Sequence, residues 1–249
     1  MGVTKLRGIV LNETKKGEAD KQLTLFTLEE GKAYVYAKGA RKLKSRYFSG
    51  SAQFDYSDFV VYSPGSFYSA TQIDKIADFS GVLSDYDKLI YGNLFLEVID
   101  KTTFPGEANP EILKLLLTAL RALEQGITDN FCISQAFLFK YMQICGYEPS
   151  VQNCYGCGAD NSGKVLTRYS ADGLLCTDCA VTANTSGINI NPAAIHAINY
   201  ILNSEIREAF SYKLDAESKK ILKQASDISL GNLDVSLNSK KFIDEICAE

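Results

Sequence analysis

From Lys5 to about Ile76 the chain is written in short apolar-rich runs: Leu6 to Leu11, Gln22 to Thr27, Ala33 to Ala37, Phe54 to Tyr62 and Phe67 to Ile76. Gly17, Gly31, Gly39 and Pro64-Gly65 fall between them as turn signals, so the pattern predicts five β-strands joined by short connections. That is the size of a small barrel, either an OB-fold, which is a known platform for oligonucleotides, or an SH3-like barrel. After Ser84 the apolar positions lengthen into segments over Asp85 to Thr102, Pro110 to Glu124 and Asp129 to Cys145. Helix-start chemistry accompanies them. Asn109-Pro110-Glu111 supplies a capping residue, a proline at the first helical position and an acid in the first turn, while Gly146 and Pro149 close the third segment. Phe131 to Ile144 is apolar on nearly all sides, which predicts the buried centre of a helical layer. Residues 147–187 read as a loop-rich insert, after which Asn191-Pro192 restarts helix over Ala193 to Leu202. Weaker helical patterns follow over Ala216 to Ser226 and Lys240 to Ala248, and Leu230 to Leu237 is ambiguous between helix and strand. The fold class is α+β and multidomain.

Charge changes this picture more than bulk composition does. The formal net charge is −4, which taken alone argues against nucleic acid. Residues 1–80, however, hold 12 Lys and Arg against 9 Asp and Glu (+3), and residues 81–249 hold 14 against 21 (−7). A basic N-terminal part on an acidic remainder is the asymmetry expected when one domain meets phosphates and the rest meets something else. No run has the ~18 apolar residues of a membrane span, and Met1 to Val10 lacks the pattern of a signal peptide. A cytoplasmic location is the expectation.

Cys154, Cys157, Cys176 and Cys179 have the spacing C-x2-C-x18-C-x2-C, which lies in the range of a four-cysteine zinc site. Each C-x-x-C pair fits a tight turn that aims two thiolates at one point, with Gly156, Gly158 and Gly173 nearby as permissive backbone. Four thiolates fill a tetrahedron and leave no position for water or substrate, so one structural zinc is expected. Two redox or disulfide pairs are the alternative. Cys132, Cys145 and Cys247 receive no role.

Between Lys32 and Arg46 stand six basic residues and no acid: Lys32, Lys38, Arg41, Lys42, Lys44 and Arg46, interleaved with Tyr34, Tyr36, Tyr47 and Phe48. Cations neutralise phosphates and aromatic faces stack on bases, so the segment is a candidate for sequence-tolerant DNA binding, with Tyr34 and Tyr36 as its stacking residues. A solvated loop, with the strand aromatics turned into the barrel core, is the bland alternative. Gly158 to Lys164 is close to a phosphate-binding loop, but Val165 replaces the magnesium-binding hydroxyl and the strand–loop–helix context is missing. His196 is the single histidine, and no familiar catalytic motif surrounds it. No enzymatic activity is expected.

Gly8-Ile9-Val10-Leu11, Gly17-Glu18-Ala19-Asp20, Leu25-Phe26-Thr27, Gly31-Lys32 and Ala37-Lys38-Gly39-Ala40-Arg41 together resemble the N-terminal signature of the RecO family. A C-x-x-C pair just past Gly146 to Pro149, then a second pair followed by Asn-Pro and helix, extends the resemblance over about the whole chain. It implies an OB-fold over 1–80, a helical domain in two parts over 81–146 and 188–249, and a zinc-finger insert over 147–187. It also implies an accessory role in recombinational repair of the RecF-pathway type: annealing strands and loading a recombinase onto single-stranded DNA coated with single-strand-binding protein. Double-stranded DNA is a further candidate ligand, and RecR, RecF and single-strand-binding protein are the implied protein partners. Family members without the four cysteines are known, so the resemblance makes zinc a staple. Two other classes remain open at this point: a protein scaffold that binds no nucleic acid, and an RNA-binding zinc-ribbon and OB protein.

Overall fold

A computed structural model describes residues 2–42, 44–63, 67–160, 166–183 and 187–246; the Pro64-Gly65 turn signal lies outside them. The chain forms two compact units, one from residues up to Leu116 together with those from Leu237 onward, the other from Leu117 to Ser236. The first unit joins the helices that open the helical region and the C-terminal helix to the strands.

Five strands, β1 (Gly2–Lys16), β2 (Asp20–Thr27), β3 (Gly31–Ala37), β4 (Tyr56–Ser63) and β5 (Tyr68–Ala77), close into a barrel in the order β1-β2-β3-β5-β4. All pairings are antiparallel except β3 with β5, and this connectivity is that of an OB-fold. The interior follows from strand period: Ala33, Val35 and Ala37 of β3 point in beside Leu6, Val10, Leu23, Leu25, Phe59 and Val61. Lys32, Tyr34 and Tyr36 therefore point out. β1 is far longer than its apolar core, because its first half pairs with β4 and its second with β2. A bulge between Val10 and Asn12 marks the change of partner. Phe54, read as the start of a strand, lies outside β4 at φ 72°; its N–H donates to Val10 O at 3.1 Å, and Val10 N–H donates to Asp55 O at 2.9 Å. Phe67 likewise precedes β5.

Helices follow in the places that capping chemistry marks. α1 (Ser80–Leu83) is a single turn, and α2 (Tyr86–Thr102) starts at Asp85, whose carboxylate accepts from Lys88 N–H. Asn109 Oδ1 accepts from Glu111 and Ile112 N–H at the start of α3 (Pro110–Gln125). α4 (Asn130–Ile144) is capped by Asp129 and is buried at every residue from Cys132 to Met142, in line with its all-round apolar sequence. Buried Lys140 within it donates to Leu202 O at 2.8 Å and Gln143 Oε1 at 2.9 Å. The insert holds β6 (Leu166–Ser170), β7 (Gly173–Cys176), the short α5 (Thr177–Ala183) and β8 (Ile188–Asn189), with sheet order β7-β6-β8. α6 (Pro192–Asn203) and α7 (Ala216–Leu230) begin at capping residues Asn191 and Asp215. The ambiguous Leu230 to Leu237 stretch is the end of α7, a 3-10 turn over Gly231–Leu233 and a link to α8 (Asn238–Ile246). α8 packs on α2, where Glu97 accepts from Asn238 and Ser239 N–H at 2.8 and 2.7 Å. Among the described residues no helix is long and apolar enough to cross a membrane.

The β2–β3 turn is held close to the chain that follows α2. Gly31 has φ +66°, and a Cβ placed there would lie 2.1 Å from Glu107 O. Gly17, at φ +54°, has open space around it. Gly31→Ala therefore adds a backbone clash to left-handed strain, with an expected loss of roughly 2–5 kcal/mol, whereas Gly17→Ala carries strain alone, about 1–2 kcal/mol. Urea midpoints of the two variants check this, and equal losses would show that the close approach at Gly31 is unimportant.

Candidate nucleic-acid interface and metal centre

β3 presents Lys32, Tyr34 and Tyr36 on the barrel exterior, and the loop after it carries the remaining cations. The six basic residues separate into two kinds. Lys32 pairs with Asp100 at 2.7 Å and is largely covered, so its charge is already compensated. Lys38, Arg41, Lys42, Lys44 and Arg46 are exposed, and among the described residues none of the five forms an ion pair. Arg41 donates to Gly17 O and Glu18 O at 3.2 and 3.1 Å, which draws the loop onto the tip of the β1–β2 hairpin. Exposed Lys15 and Lys16 stand on that hairpin. They went unremarked in the sequence because strand pairing, rather than chain proximity, brings them near the loop.

The aromatic residues also divide. Tyr34 is 42% and Phe48 69% exposed, but Tyr47 is 5% exposed and belongs to the barrel core. Tyr47 donates to Ala70 O at 3.0 Å and carries the Arg46 guanidinium 4.9 Å from its ring centroid. Its place is structural, whereas the strand aromatics Tyr34 and Tyr36 point outward. Tyr36 donates to Asp20, which also accepts from Gly39 N–H at 2.7 Å. The bond from Tyr36, then that from Gly39, holds the Asp20 carboxyl below its usual range and pushes the Tyr36 phenol upward. Tyr68 donates to both carboxylate oxygens of Glu30 at 2.6 and 2.7 Å, and this pushes its phenol up to about 12.

In the second unit the four cysteines converge: Sγ atoms of Cys154, Cys157, Cys176 and Cys179 all lie within 4.8 Å of one another. Cys157 and Cys176 Sγ are 3.9 Å apart. Zn–S bonds of ~2.3 Å at tetrahedral angles put sulfurs about 3.8 Å apart, whereas a disulfide needs ~2.05 Å. The donor set fits a tetrahedral thiophilic cation. Local backbone explains the convergence. Gly158 takes φ +72° and donates to Cys154 O at 2.7 Å, folding the first knuckle, and Cys176 N–H donates to Cys154 Sγ at 3.3 Å. A Cβ on Gly156 would stand 3.3 Å from Cys179 Sγ, so glycine there lets the second knuckle approach. Burial opposes ionisation of Cys154, but N–H groups of Cys176, Cys157 and Gly156 outweigh it and hold the thiol down to about 6. Hydrogen bonds with Cys176 and Cys157 push Cys179 up to about 12.

Gly173 shows the same logic at the base of the insert: at φ +130°, its Cβ would fall 2.1 Å from Ser150 O. Ser150 N–H donates to Asp172 O and Leu174 N–H to Ser150 O, at 2.9 and 2.7 Å. Of the remaining sequence candidates, Lys164, Val165 and Cys247 lie outside the described residues. Cys132 is buried, and burial followed by its contact with Asp129 pushes its thiol up to about 12. Cys145 is likewise raised by burial. His196 is exposed on α6.

An OB barrel with exposed cations beside outward aromatics, joined in one chain to helices and a pair of cysteine knuckles able to hold a metal ion, defines the class of OB-fold proteins with a four-cysteine insert. Comparison with known proteins narrows it. The family profile described as Recombination protein O N terminal matches residues 1–79, and that described as Recombination protein O C terminal matches residues 83–231. The chain belongs to the Recombination protein O family. It is similar to "DNA repair protein RecO" of Alkaliphilus metalliredigens, 31% identical over 97% of this chain and 99% of that protein. The proteins of the same name from Acetivibrio thermocellus (28% identical, 92% of this chain and 90% of that protein) and Streptomyces avermitilis (32%, 70% and 73%) are also similar to it.

Proposed function

We propose that this chain is a DNA-binding recombination mediator that acts without catalysis of its own. The observation that carries the reading is the cluster of five exposed cations, Lys38, Arg41, Lys42, Lys44 and Arg46, which form no ion pair among the described residues and stand beside the outward tyrosines of β3. Such a surface binds phosphates through counterion release and tolerates any sequence. It also lowers the repulsion between two phosphate backbones and raises their local concentration, which speeds pairing of complementary strands without nucleotide hydrolysis. In this reading Cys154, Cys157, Cys176 and Cys179 hold one structural zinc, whose chemistry is to fix the two knuckles. The barrel binds single-stranded DNA and, more weakly, duplex. Family membership supports RecR, RecF and single-strand-binding protein as partners, recombinase loading as the outcome, and work in the cytoplasm at the nucleoid. Two weak contacts, one to DNA and one to a partner, would combine into one useful affinity.

The test is annealing of complementary oligonucleotides coated with the cognate single-strand-binding protein, without ATP. Acceleration that saturates with added protein is expected. No acceleration despite DNA binding would leave a scaffold that joins DNA to partners, and stronger binding to RNA than to DNA of the same sequence would favour the RNA-binding class.

A further inference from the structure

The β3–β5 seam is the briefest of the barrel's strand pairings, with Val35 opposite Tyr68 and Tyr36 opposite Ser69. Outside it lies a groove of about 160 Å³ lined by Gln22, Tyr34, Val35, Tyr36, Phe67 and Tyr68. Two of its four aromatic rings, Tyr34 and Phe67, are 42% and 58% exposed. The other two are held in place through their hydroxyls, Tyr36 by Asp20 and Tyr68 by Glu30. A groove whose walls are fixed beforehand loses little further freedom when a flat ring enters. The Gln22 amide adds a donor and an acceptor at the wall. Asp20 and Glu30 disfavour a phosphate inside the groove, so the occupant that fits is an uncharged aromatic ring. Yet the groove adjoins cations: Asp20 also accepts from Gly39 N–H at 2.7 Å, and the Lys42 stem passes within 3.8 Å of the Gly39 Cβ position. A ligand that is flat and neutral at one point and anionic a few ångströms further along is a nucleotide within a strand.

Resting on the reading that the barrel binds single-stranded DNA, we propose that this groove seats one unpaired nucleobase and lets the barrel distinguish a single strand from a duplex. Phosphates are offered by both forms, but in a duplex the base faces are stacked on their neighbours and unavailable. The slot therefore reads strandedness and the loop reads charge. Release of the seated base into a forming duplex then accompanies pairing.

The experiment compares binding of the full chain to an oligo-dT strand, to an equally long strand of abasic residues and to a duplex. Wild type is expected to favour oligo-dT over the abasic strand about tenfold, the scale of one base stacked on aromatic side chains. Tyr34→Ala combined with Phe67→Ala should remove that preference while leaving affinity for the abasic strand and the duplex unchanged. Tyr34→Leu with Phe67→Leu, which keeps apolar bulk but removes the aromatic faces, should behave alike and guards against misfolding of the first pair. A folded variant that retains the preference overturns the slot. Equal binding of the two single strands by wild type also overturns it and leaves the charge-based reading standing; binding of neither strand removes the DNA-binding reading itself.

Discussion

Replacing Cys154 or Cys179 with serine is expected to reduce bound zinc from about one ion per chain to near zero and to cost at least about 3 kcal/mol of stability. The ligand set closes around a point between two knuckles that are otherwise joined by backbone bonds such as Tyr155 N–H to Leu174 O at 2.9 Å. Cys176 N–H bonds to Cys154 Sγ at 3.3 Å, and Gly156 exists as glycine to admit the Cys179 sulfur. With one thiolate gone, the other three carry negative charge at distances under 4.8 Å without full compensation. Elemental analysis and thermal unfolding of wild type, each variant and chelator-treated wild type read the effect. DNA affinity should change far less than stability. A metal-free wild-type preparation with unchanged melting would refute the staple, as would an intact disulfide, which would also require the 3.9 Å pair to close by nearly half.

Reversing Arg41, Lys42, Lys44 and Arg46 to glutamate is the second change of large effect. With four or five phosphates neutralised, log K against log salt for a single strand should have a slope of about −3 to −3.5, from roughly 0.7 per phosphate. The quadruple variant should flatten that slope and weaken binding by about a hundredfold or more at low salt. Folding should survive, since the side chains are exposed and make no ion pairs among the described residues. Three local bonds are lost, two from Arg41 to the hairpin carbonyls and one from Arg46 to Tyr47 Oη at 2.8 Å, so circular dichroism should accompany the titration. Unchanged affinity in a folded variant would move the phosphate contacts elsewhere, with exposed Lys15, Lys16 and the zinc module's Arg168 and Lys164 the next to be reversed.

The barrel was legible because its alternation is strict where it matters: Ala33, Val35 and Ala37 turn inward and Tyr34 and Tyr36 outward, as period-2 reading demands. Helix starts were legible at Asn109 and Asn191, where proline follows the capping residue, whereas Asp85, Asp129 and Asp215 close their first turns without that second signal. The polar ends of β1 were not, because paired strand outside a core needs no apolar residue. Among the candidate site residues, the thiolate spacing pointed directly to the cluster that forms. Charge type alone could not separate Lys32 from Lys42, since only the fold brings Asp100 to the former. Nor could it show that Tyr47 is interior while Phe67 joins Tyr34 in a groove. Spacing encodes sites made by neighbours in sequence, and partners from distant elements have no local signature.

The β6–β7 hairpin has different anchors at its two ends. Near its turn, buried Tyr169 shares a 2.6 Å hydrogen bond with Ser229 of α7, and Gly173 abuts Ser150. At the far end Leu166 pairs with Cys176, beside the thiolates. One end is thus secured by interior packing, and the other lies against the four-cysteine cluster. Such a hairpin is mechanically separable into a root and a crown: loosening the thiols would free the crown around Cys176, while the root, tied from Tyr169 of β6 to Ser229 of α7, would keep its geometry.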